Sequence, residues 1–352
     1  MRIGIPTETK TLEGRVALVP AAGGDLVRAG HEVYIQSGAG DSSGFSDADF
    51  ERVGMQVVPD AAALYGQAEL VVKVKEPIAG DLEHLRREHV LFCYLHLAAE
   101  PELTERLLDI GLTGVAFETV EEADGSLPLL APMSNIAGRI GVQVGTHLLH
   151  MPQGGRGVLL GGLPAADRGH VVVLGAGAAG GNSARLAAAS GARVTVFDKR
   201  QDRLAEMMAI GPNVSALYPY VDAVADAVAR ADLVIGAVLI PGARAPHVLT
   251  REMIADMNAG SVVVDISVDQ GGCAETTRPT TYADPTYTVD GVTHFAVTNM
   301  PGAVPRTASQ ALSAAILPYV QRMARPDWSG HAALVRGVNV RDGELVHPAI
   351  KS

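Results

Sequence analysis

The sequence predicts an α/β fold with two domains, each built on a mainly parallel sheet. Its 352 residues exceed what one ordinary hydrophobic core holds, so two domains are expected. In the first third of the chain, short apolar segments alternate with helical segments, which is the pattern of parallel strands joined by helices. Further along, an apolar strand leads into a glycine-rich turn, a helix of small residues and a second strand. Together these three observations predict the fold class.

Short apolar segments rich in β-branched residues predict the strands of the first domain. We expect them at Arg2–Ile5, Glu32–Gln36, Leu70–Val74, Val90–Leu95 and Thr113–Ala116. Helices are predicted between them at Pro20–Ala29 and Pro101–Ile110. The glycine-rich segment from Gly38 to Gly44 leads into no clear helical pattern, and we predict a loop there.

The segment from Val171 to Asp198 has the pattern of a dinucleotide-binding unit. Gly175 permits a tight turn, Gly177 lets the backbone approach a pyrophosphate, and Gly180 lets the helix pack closely on the sheet. The following helix N-terminus offers N–H groups and a partial positive charge. Asp198 closes the second strand and favours NAD over NADP, although Lys199 and Arg200 follow it directly. The alternative is an ordinary tight turn with an incidental acid.

The remaining elements complete two Rossmann-like, doubly wound domains, of which the first is discontinuous. A long helix is predicted over Ser134–Met151 with Ser134 as its N-cap, followed by a loop and a short strand within Gln153–Gly162. Strands are expected at Leu233–Val238, Ser261–Ile266 and His294–Val297, a helix at Thr307–Val320, and a hairpin over Ala332–Val346 turning at Asp342-Gly343. Residues 1–133 with 305–352 form the predicted catalytic domain, and residues 134–304 form the nucleotide domain.

Composition excludes several other classes of protein. A net charge of −11 argues against binding to nucleic acid or an anionic membrane surface. The two cysteines lie in or beside apolar segments, which suits a reducing cytoplasm. The N-terminus has no long apolar run, so no signal peptide is expected, and no stretch of about 18 apolar residues predicts a membrane span. The eleven histidines are scattered and predict no metal site, since His147 and His150 favour packing or surface roles.

Several sequence blocks, in order, resemble the alanine dehydrogenase family, which also includes the NAD-binding domain of proton-translocating transhydrogenase. The resemblance spans nearly the full length. It depends on the segments Arg15–Pro20, Lys73–Pro77, Tyr94–Glu100, Pro132–Ser134, Ile235–Gly242, Val264–Gly272 and Asn299–Thr307. The chain departs from the family pattern at Thr7, Thr9, Asn135 and the Cys273-Ala274 pair, none of which is assigned to the chemistry.

The resemblance implies a reversible, NAD-dependent oxidative deamination of L-alanine to pyruvate and ammonium. His96 would be the acid/base, and its ordinary pKa near neutrality suits that work. Arg15 and Lys75 would bind the substrate carboxylate, and Asp269 would help to position water and the reacting nitrogen. Lys75 and His96 each end a predicted strand, and ligands of open parallel sheets bind at that edge.

Without the resemblance, each of these four residues has a plainer interpretation. Lys75 would be a solvated lysine at a strand end, and His96 a half-buried histidine with its hydrogen bonds satisfied. Arg15 would be a surface arginine, and Asp269 a turn former before Gln270-Gly271-Gly272.

Further positions match the family around the cofactor. Val238, Leu239, Ile266 and Met300 would form an apolar wall, Ser134 and Asn299 would offer hydrogen bonds, and Arg203 would lie near the adenosine. Ala179 belongs to the glycine turn itself, and Met133 is expected beside the substrate methyl group. Asp265 is expected to be structural and buried near the end of its strand.

Two other functions remain open at this point. A related dehydrogenase of the saccharopine type would use the same cation and histidine pair on a larger substrate. A transhydrogenase component would bind NAD(H) without turning over an amino acid. The resemblance also implies a homo-oligomer, commonly a hexamer, and two domains that hold opposite halves of one site and close on it.

Overall fold

The chain divides into two compact units. The computed structural model describes residues 1–238 and 246–350. The first unit joins Met1–Met133 to the chain from Gly302 onward, and the second unit is Ser134–Pro301. The first unit is therefore assembled from both ends of the sequence.

Helices and strands alternate along most of the chain. The helices are α1 Pro20–Arg28, α2 Asp47–Arg52, α3 Ala61–Gln67, α4 Ala79–Leu82, α5 Pro101–Ile110, α6 Ala131–Leu148, α7 Ala178–Ala189, α8 Gln201–Met208, α9 Val221–Ala229, α10 Arg251–Ala255, α11 Pro305–Met323 and α12 Ala332–Gly337. The strands are β1 Arg2–Ile5, β2 Glu32–Gln36, β3 Gln56–Val58, β4 Leu70–Val72, β5 Val90–Cys93, β6 Thr113–Ala116, β7 His170–Leu174, β8 Arg193–Phe197, β9 Val214–Leu217, β10 Leu233–Gly236, β11 Val262–Asp265, β12 Thr286–Val289, β13 Val292–Phe295, β14 Val338–Arg341 and β15 Glu344–Leu345.

The sheet of the first unit is mainly parallel. Its strand order is β15-β14-β6-β5-β4-β1-β2-β3. Strands β1 to β6 pair in parallel, and only at one edge does β14 run antiparallel to β6 and β15. The order reverses at β1, which lies between β4 and β2. Such a reversal opens a crevice at the carboxyl ends of the strands, where ligands of α/β sheets bind.

The second unit repeats the same architecture. Its order is β12-β13-β11-β10-β7-β8-β9, parallel throughout except for the antiparallel β12–β13 pair. The order reverses at β7, the strand that leads into the glycine turn. The predicted α/β class with two Rossmann-like sheets is confirmed.

Two strands of the first unit end earlier than predicted. β4 ends at Val72 and β5 at Cys93, whereas the sequence favoured Val74 and Leu95. The N–H of Val74 donates to Glu8 Oε1 at 2.7 Å, and the N–H of Leu95 donates to Glu118 Oε1 at 3.1 Å. Carboxylates therefore take backbone donors that a longer ladder would have used.

The first long helix begins earlier than predicted. It starts at Ala131, so Ser134 lies inside it and is not its N-cap. Pro132 stands in the first turn, where its missing N–H costs no helical hydrogen bond. The helix ends at Leu148, followed by a short 3₁₀ turn at Met151–Gln153. The strand expected within Gln153–Gly162 is not formed.

The C-terminal hairpin is shorter than predicted. Residues Ala332–Gly337 form helix α12, and only β14 and β15 pair around Asp342. The predicted turn is correct, since Asp342 and Gly343 both have positive φ, of 51° and 80°. In the loop predicted at Gly38–Gly44, residues Asp41–Ser43 form a 3₁₀ turn, and α2 follows.

The longest helices are not membrane spans. None of the helices within residues 1–238 and 246–350 combines the length and the apolar character that crossing a bilayer requires.

Candidate active site

The first unit places its predicted substrate residues beyond neighbouring strands. Arg15 lies on the irregular segment between β1 and α1, Lys75 follows β4 by three residues, and His96 follows β5 by three residues. Because β1, β4 and β5 are adjacent in the sheet, these segments leave it at the same edge. This is the crevice that the strand order predicts.

Arg15 is buried and paired with an acid that the sequence interpretation missed. Its side chain is 2% exposed and contacts Glu13, whose side chain is 1% exposed. Arg15 Nε lies 2.6 Å from Glu13 Oε1, and Arg15 Nη2 donates to the other oxygen. Burial disfavours the charged arginine, but Glu13 outweighs that cost and raises the pKa of Arg15. One edge of the guanidinium therefore bonds Glu13, and Nη1 lies 3.2 Å from Met133 Sδ.

His96 stands on a backbone turn that a second acid fixes. Its φ is +52°, a region that non-glycine residues seldom adopt. Its N–H donates to Glu118 Oε1 at 2.6 Å, and its Nδ1 lies 4.0 Å from the same oxygen. The ring stacks on Tyr94 with a centroid distance of 5.7 Å and an interplanar angle of 6°. Backbone, carboxylate and aromatic face together orient the imidazole.

The electrostatic environment of His96 disfavours the imidazolium. Its side chain keeps 41% of its surface exposed. Partial loss of water is the largest cause that lowers the pKa of His96 to about 4, and nearby positive charges add to it: Lys75, Lys10 and Arg15. Three of the predicted residues therefore interact electrostatically, since the charges of Arg15 and Lys75 both act on His96. At neutral pH the imidazole is uncharged and can accept a proton.

A buried network underlies Lys75. Glu8 accepts the N–H groups of Val74 and Lys75 and lies 3.4 Å from the ammonium of Lys73. Lys73 is 1% exposed and also lies 3.3 Å from Asp81. Burial acts to lower the pKa of Lys73, yet Glu8 and Asp81 together raise it. Lys73 is therefore a paired structural cation that holds the segment leading to Lys75.

In the second unit, the backbone around the turn leaves no room for a side chain at two of its glycines. Gly175 has a φ of +96°, and a Cβ there would lie 2.5 Å from the carbonyl oxygen of Ala237. A Cβ on Gly180 would lie 1.8 Å from the carbonyl oxygen of Gly175. Both positions exclude side chains because strand, turn and helix approach closely.

Gly177 differs from its two neighbours in the motif. Among the residues that the structure describes, leaving out its own chain neighbours, a Cβ there would approach within 4 Å only one atom, Arg203 Nη1 at 3.5 Å. A cleft of about 360 Å³ opens beside it, and its lining includes Asn135, Arg185 and Arg203. The space over Gly177 lies at the N-terminus of α7, where the backbone N–H groups of the helix could hold a phosphate group.

Asp198 lies just after the second strand of the predicted dinucleotide unit, and its carboxylate accepts hydrogen bonds from the backbone. Its Oδ2 accepts the N–H of Ala176 at 2.7 Å, and its Oδ1 accepts the N–H of Arg200 at 2.8 Å. Arg203 Nη1 lies 3.8 Å from Oδ2. Each carboxylate oxygen has a second lone pair, so Asp198 can still accept from a ribose hydroxyl.

The other predicted cofactor residues are distributed over the second unit. Ser134 and Ala179 are half-buried on helices, and Val238 and Ile266 are half-buried beyond β10 and β11. Met300 is buried and accepts the Tyr282 hydroxyl on its carbonyl oxygen at 2.8 Å. Asn299 has a φ of +58°. Leu239 lies outside the described residues.

The two acids after β11 have different surroundings. Asp265 is 1% exposed and accepts the N–H groups of Ser267 and Cys273 at 2.9 and 2.8 Å, together with the Thr277 hydroxyl. It is the structural acid that the sequence favoured. Asp269 is exposed on the 3₁₀ turn Ile266–Gln270. Its position after a strand of the nucleotide unit agrees with its predicted placement.

No cluster of metal-ligating side chains appears in the part of the chain that the structure describes. His147 and His150 contact each other edge to face, with ring centroids 6.0 Å apart.

Sequence interpretation overlooked the acids that support the site. Glu13 stands two residues before Arg15, and Glu118 follows the end of β6, next to β5 in the sheet. The position of Glu118 after a strand was the same signal that identified His96. No comparable pattern marks Glu8, because its backbone partners lie some 66 residues away along the chain.

Comparisons with known proteins agree with these observations. The family model "Alanine dehydrogenase/PNT, N-terminal domain" matches residues 4–137, and "Alanine dehydrogenase/PNT, C-terminal domain" matches residues 141–348. The chain belongs to the alanine dehydrogenase/PNT family.

Individual members of this family are similar over almost their full length. Alanine dehydrogenase of Halomonas elongata is 49% identical over 355 residues, which cover 99% of this chain and 96% of that protein. A solved structure of an L-alanine dehydrogenase is 49% identical, with a TM-score of 0.96 and coverage of 100% of this chain and 98% of that one. A transhydrogenase structure from Sinorhizobium meliloti is 26% identical, with a TM-score of 0.86 and coverage of 99% and 100%.

The contrast between Gly177 and Gly180 gives a paired test of the turn. Gly177→Ala should keep the fold, because its Cβ meets no backbone, yet weaken NADH binding about tenfold or more by blocking close approach. Gly180→Ala should instead lower the Tm by several degrees, because its Cβ meets a carbonyl oxygen. NADH fluorescence titration and thermal melting separate the two effects. A folded Gly177→Ala protein that binds NADH like the wild type would contradict this role.

The cations around His96 predict a measurable shift. Lys75→Met removes a positive charge and should move the pKa of His96 upward from about 4 toward 6.5. An NMR pH titration of the imidazole protons, assigned with His96→Gln, measures the shift. Arg52→Met, on the exposed face of α2, is the control and should leave the pKa of His96 unchanged.

The same shift sets the sign of the pH effect on stability. The unfolded chain takes up the His96 proton near pH 6.5 and the folded chain near pH 4. Between these values the unfolded state binds more protons, so acidification in this window favours unfolding. Lys75→Met should reduce that part of the acid sensitivity. An unshifted His96 titration in this variant would show that Lys75 does not act on the ring.

Proposed function

We propose that this chain is an NAD-dependent amino-acid dehydrogenase that interconverts L-alanine with pyruvate and ammonium. The main support is one observation: an uncharged imidazole, that of His96, stands among three cations at the ligand-binding edge of its sheet. Such a site attracts a carboxylate and offers a base beside it. The names of the relatives, alanine dehydrogenases at 45–49% identity, agree with that chemistry.

Arg15 and Lys75 are the proposed partners of the substrate carboxylate. Arg15 is already oriented by Glu13, so little side-chain freedom is lost when it binds an anion. Lys75 is half-buried on a segment that Glu8 fixes through the backbone. The two cations would share the carboxylate, or Lys75 would polarise the keto oxygen in the reverse reaction.

His96 is the proposed acid/base. A pKa of about 4 makes it a weak base before substrate binds. A bound carboxylate would offset part of the field of Arg15 and Lys75, which would raise the pKa of His96 toward the range where proton transfer is efficient. The base would therefore strengthen when the substrate arrives. His96 would take the proton that the ammonium group must lose, and with Asp269 would direct water to the imine carbon.

The cofactor that fits the second unit is NAD. When bound, it supplies the acceptor for the hydride that leaves Cα. Gly177 leaves room for the pyrophosphate, and Asp198 offers a carboxylate where a ribose 2′-hydroxyl would donate and a 2′-phosphate would be repelled. A cytoplasmic homohexamer is the setting that the family resemblance suggests.

A second candidate is an NAD(H)-binding component of a transhydrogenase. The 26% identical transhydrogenase structure supports it. It requires no acid/base, and the oriented His96 with its supporting carboxylate therefore favours the dehydrogenase. A saccharopine-type dehydrogenase would keep His96 and Lys75 but act on a larger substrate.

The deciding experiment follows NADH formation with a panel of substrates. L-Alanine with NAD should give turnover, and pyruvate with ammonium and NADH should give the reverse. Turnover with lysine and 2-oxoglutarate but not pyruvate would favour the saccharopine type, and NADH binding without any turnover would favour the transhydrogenase component. His96→Ala should lower kcat by about 10²–10⁴ if the imidazole transfers the proton. His31→Ala is the matched control on the same unit, and its kcat should equal that of the wild type.

Cofactor choice has its own test at Asp198. Asp198→Asn keeps an oxygen that can accept the N–H of Ala176 while removing the charge that repels a 2′-phosphate. The ratio of kcat/KM for NAD over NADP should fall about tenfold or more, which corresponds to about 1.4 kcal/mol. Asp222→Asn makes the same change in net charge on the exposed face of α9 and should leave the ratio unchanged. Equal selectivity in the wild type and Asp198→Asn would remove Asp198 from this role.

A further inference from the structure

We propose that two buried serines, Ser309 on α11 and Ser43 beside it, position the backbone that presents Arg15. They would be positioning residues that act on substrate affinity through Arg15. The inference rests on the proposed function, because it takes Arg15 as the partner of the substrate carboxylate. All of these residues belong to the first unit.

The segment that bears Arg15 has no strand or helix to satisfy its backbone. It runs from Pro6 to Val19, between β1 and α1. Much of it is nonetheless buried, including Arg15 and the three residues after it. Buried N–H and C=O groups need partners, and side chains must supply them where no ladder exists.

Serine hydroxyls supply those partners on both sides of Arg15. The N–H of Val16 donates to Ser309 Oγ at 2.9 Å, and the hydroxyl of Ser43 donates to the carbonyl oxygen of Gly14 at 2.8 Å. The two hydroxyls lie 2.8 Å apart. The peptide groups before and after Arg15 are thus both held, and the holding groups are joined.

Proton counting gives the direction of these hydrogen bonds. A serine hydroxyl has one proton to donate. The proton of Ser43 goes to Gly14, so Ser309 donates its own to Ser43 and accepts from Val16. The three hydrogen bonds therefore run in one direction, from the Val16 N–H through Ser309 and Ser43 to the Gly14 carbonyl oxygen. Together they connect the peptide group before Arg15 to the peptide group after it.

Burial and packing make this arrangement rigid. Ser309 is 0% exposed and Ser43 is 1% exposed, so water cannot replace a lost hydroxyl. A Cβ on Gly14 would lie 2.8 Å from the Cβ of Ser42, the residue before Ser43, which shows how closely the two segments approach. Arg306 of α11 donates to the carbonyl oxygen of Gly44 at 3.0 Å and lies over the Phe45 ring. The loop that holds Ser43 is thereby anchored to the same helix as Ser309.

Helix α11 offers a matched control one turn further on. Ser313 is also 0% exposed and accepts the N–H of Val19 at 3.1 Å. It bonds the same segment, but at the start of α1 and away from the peptides that flank Arg15. Ser309→Ala and Ser313→Ala each delete one buried hydroxyl from one face of one helix, so their general cost to stability should be similar.

The test compares steady-state kinetics of the two variants. Ser309→Ala should raise the KM for L-alanine about tenfold, with kcat and NADH affinity near the wild-type values, because a displaced Arg15 weakens substrate binding before the chemical step. Ser313→Ala should lower the Tm by a similar amount and leave the KM unchanged. Equal KM values in the two variants would overturn the proposal and leave Ser309 a stability residue.

A second variant keeps the proposal testable if Ser309→Ala does not fold. Ser43→Ala breaks the same arrangement at its other hydroxyl and should raise the KM in the same way. Failure of the proposed function gives a different result, because wild-type protein would then not oxidise alanine at all. In that case hydrogen exchange decides: the Val16 amide should exchange faster in Ser43→Ala than in Ser313→Ala, and equal exchange would overturn the positioning itself.

Discussion

Charge pairing inside the first unit is the constraint on which its site depends. A cation buried at a sheet edge needs an anion beside it, because the free energy lost when the charge leaves water exceeds what packing contributes. Arg15 is buried against Glu13, Lys73 lies between Glu8 and Asp81, and Lys10 pairs with Glu76. These acids allow several positive charges to surround His96 while the protein stays folded. Burial lowers the pKa of His96 and the residual positive field lowers it further, and the same field would favour the carboxylate of the proposed substrate.

Two acids also explain why the ends of β4 and β5 were predicted wrongly. Apolar, β-branched runs located β4 and β5, because a buried parallel strand needs such residues on both faces. The ends were wrong by two residues, since Glu8 and Glu118 take the N–H groups of Val74 and Leu95. That competition involves partners distant along the chain and leaves no local pattern. Residues that reshape the strand ends are the ones that aim Lys75 and His96, so errors in the elements coincide with the site.

Other differences have local causes that a sequence expresses ambiguously. Ser134, two residues after Pro132, was the predicted N-cap, yet the helix starts at Ala131, and Pro132 fits its first turn. The Asp342-Gly343 turn predicted one hairpin over Ala332–Val346, but the first part of that segment is helix α12. By contrast, the turn at Asp342-Gly343 was predicted correctly, because positive φ restricts the residue types strongly. The turn was predictable because few residue types adopt its backbone conformation. The helix start and helix α12 were not, because the residues there are compatible with more than one backbone conformation.

The glycine turn of the second unit combines a requirement of folding with a proposed role in cofactor binding. Gly175 and Gly180 are required by the backbone itself, since any side chain there would meet a carbonyl oxygen. Within the described part of the chain, Gly177 has no backbone atom this close to the place of a Cβ, so it is the one of the three that these contacts do not require. Asp198 has a structural role at this turn, because its Oδ2 accepts the N–H of Ala176, and the same carboxylate is the one proposed to accept from a ribose hydroxyl. A substitution at Asp198 would therefore act on the shape of the turn as well as on the proposed cofactor choice, and removal of its charge separates the two only if the replacement still accepts the Ala176 N–H.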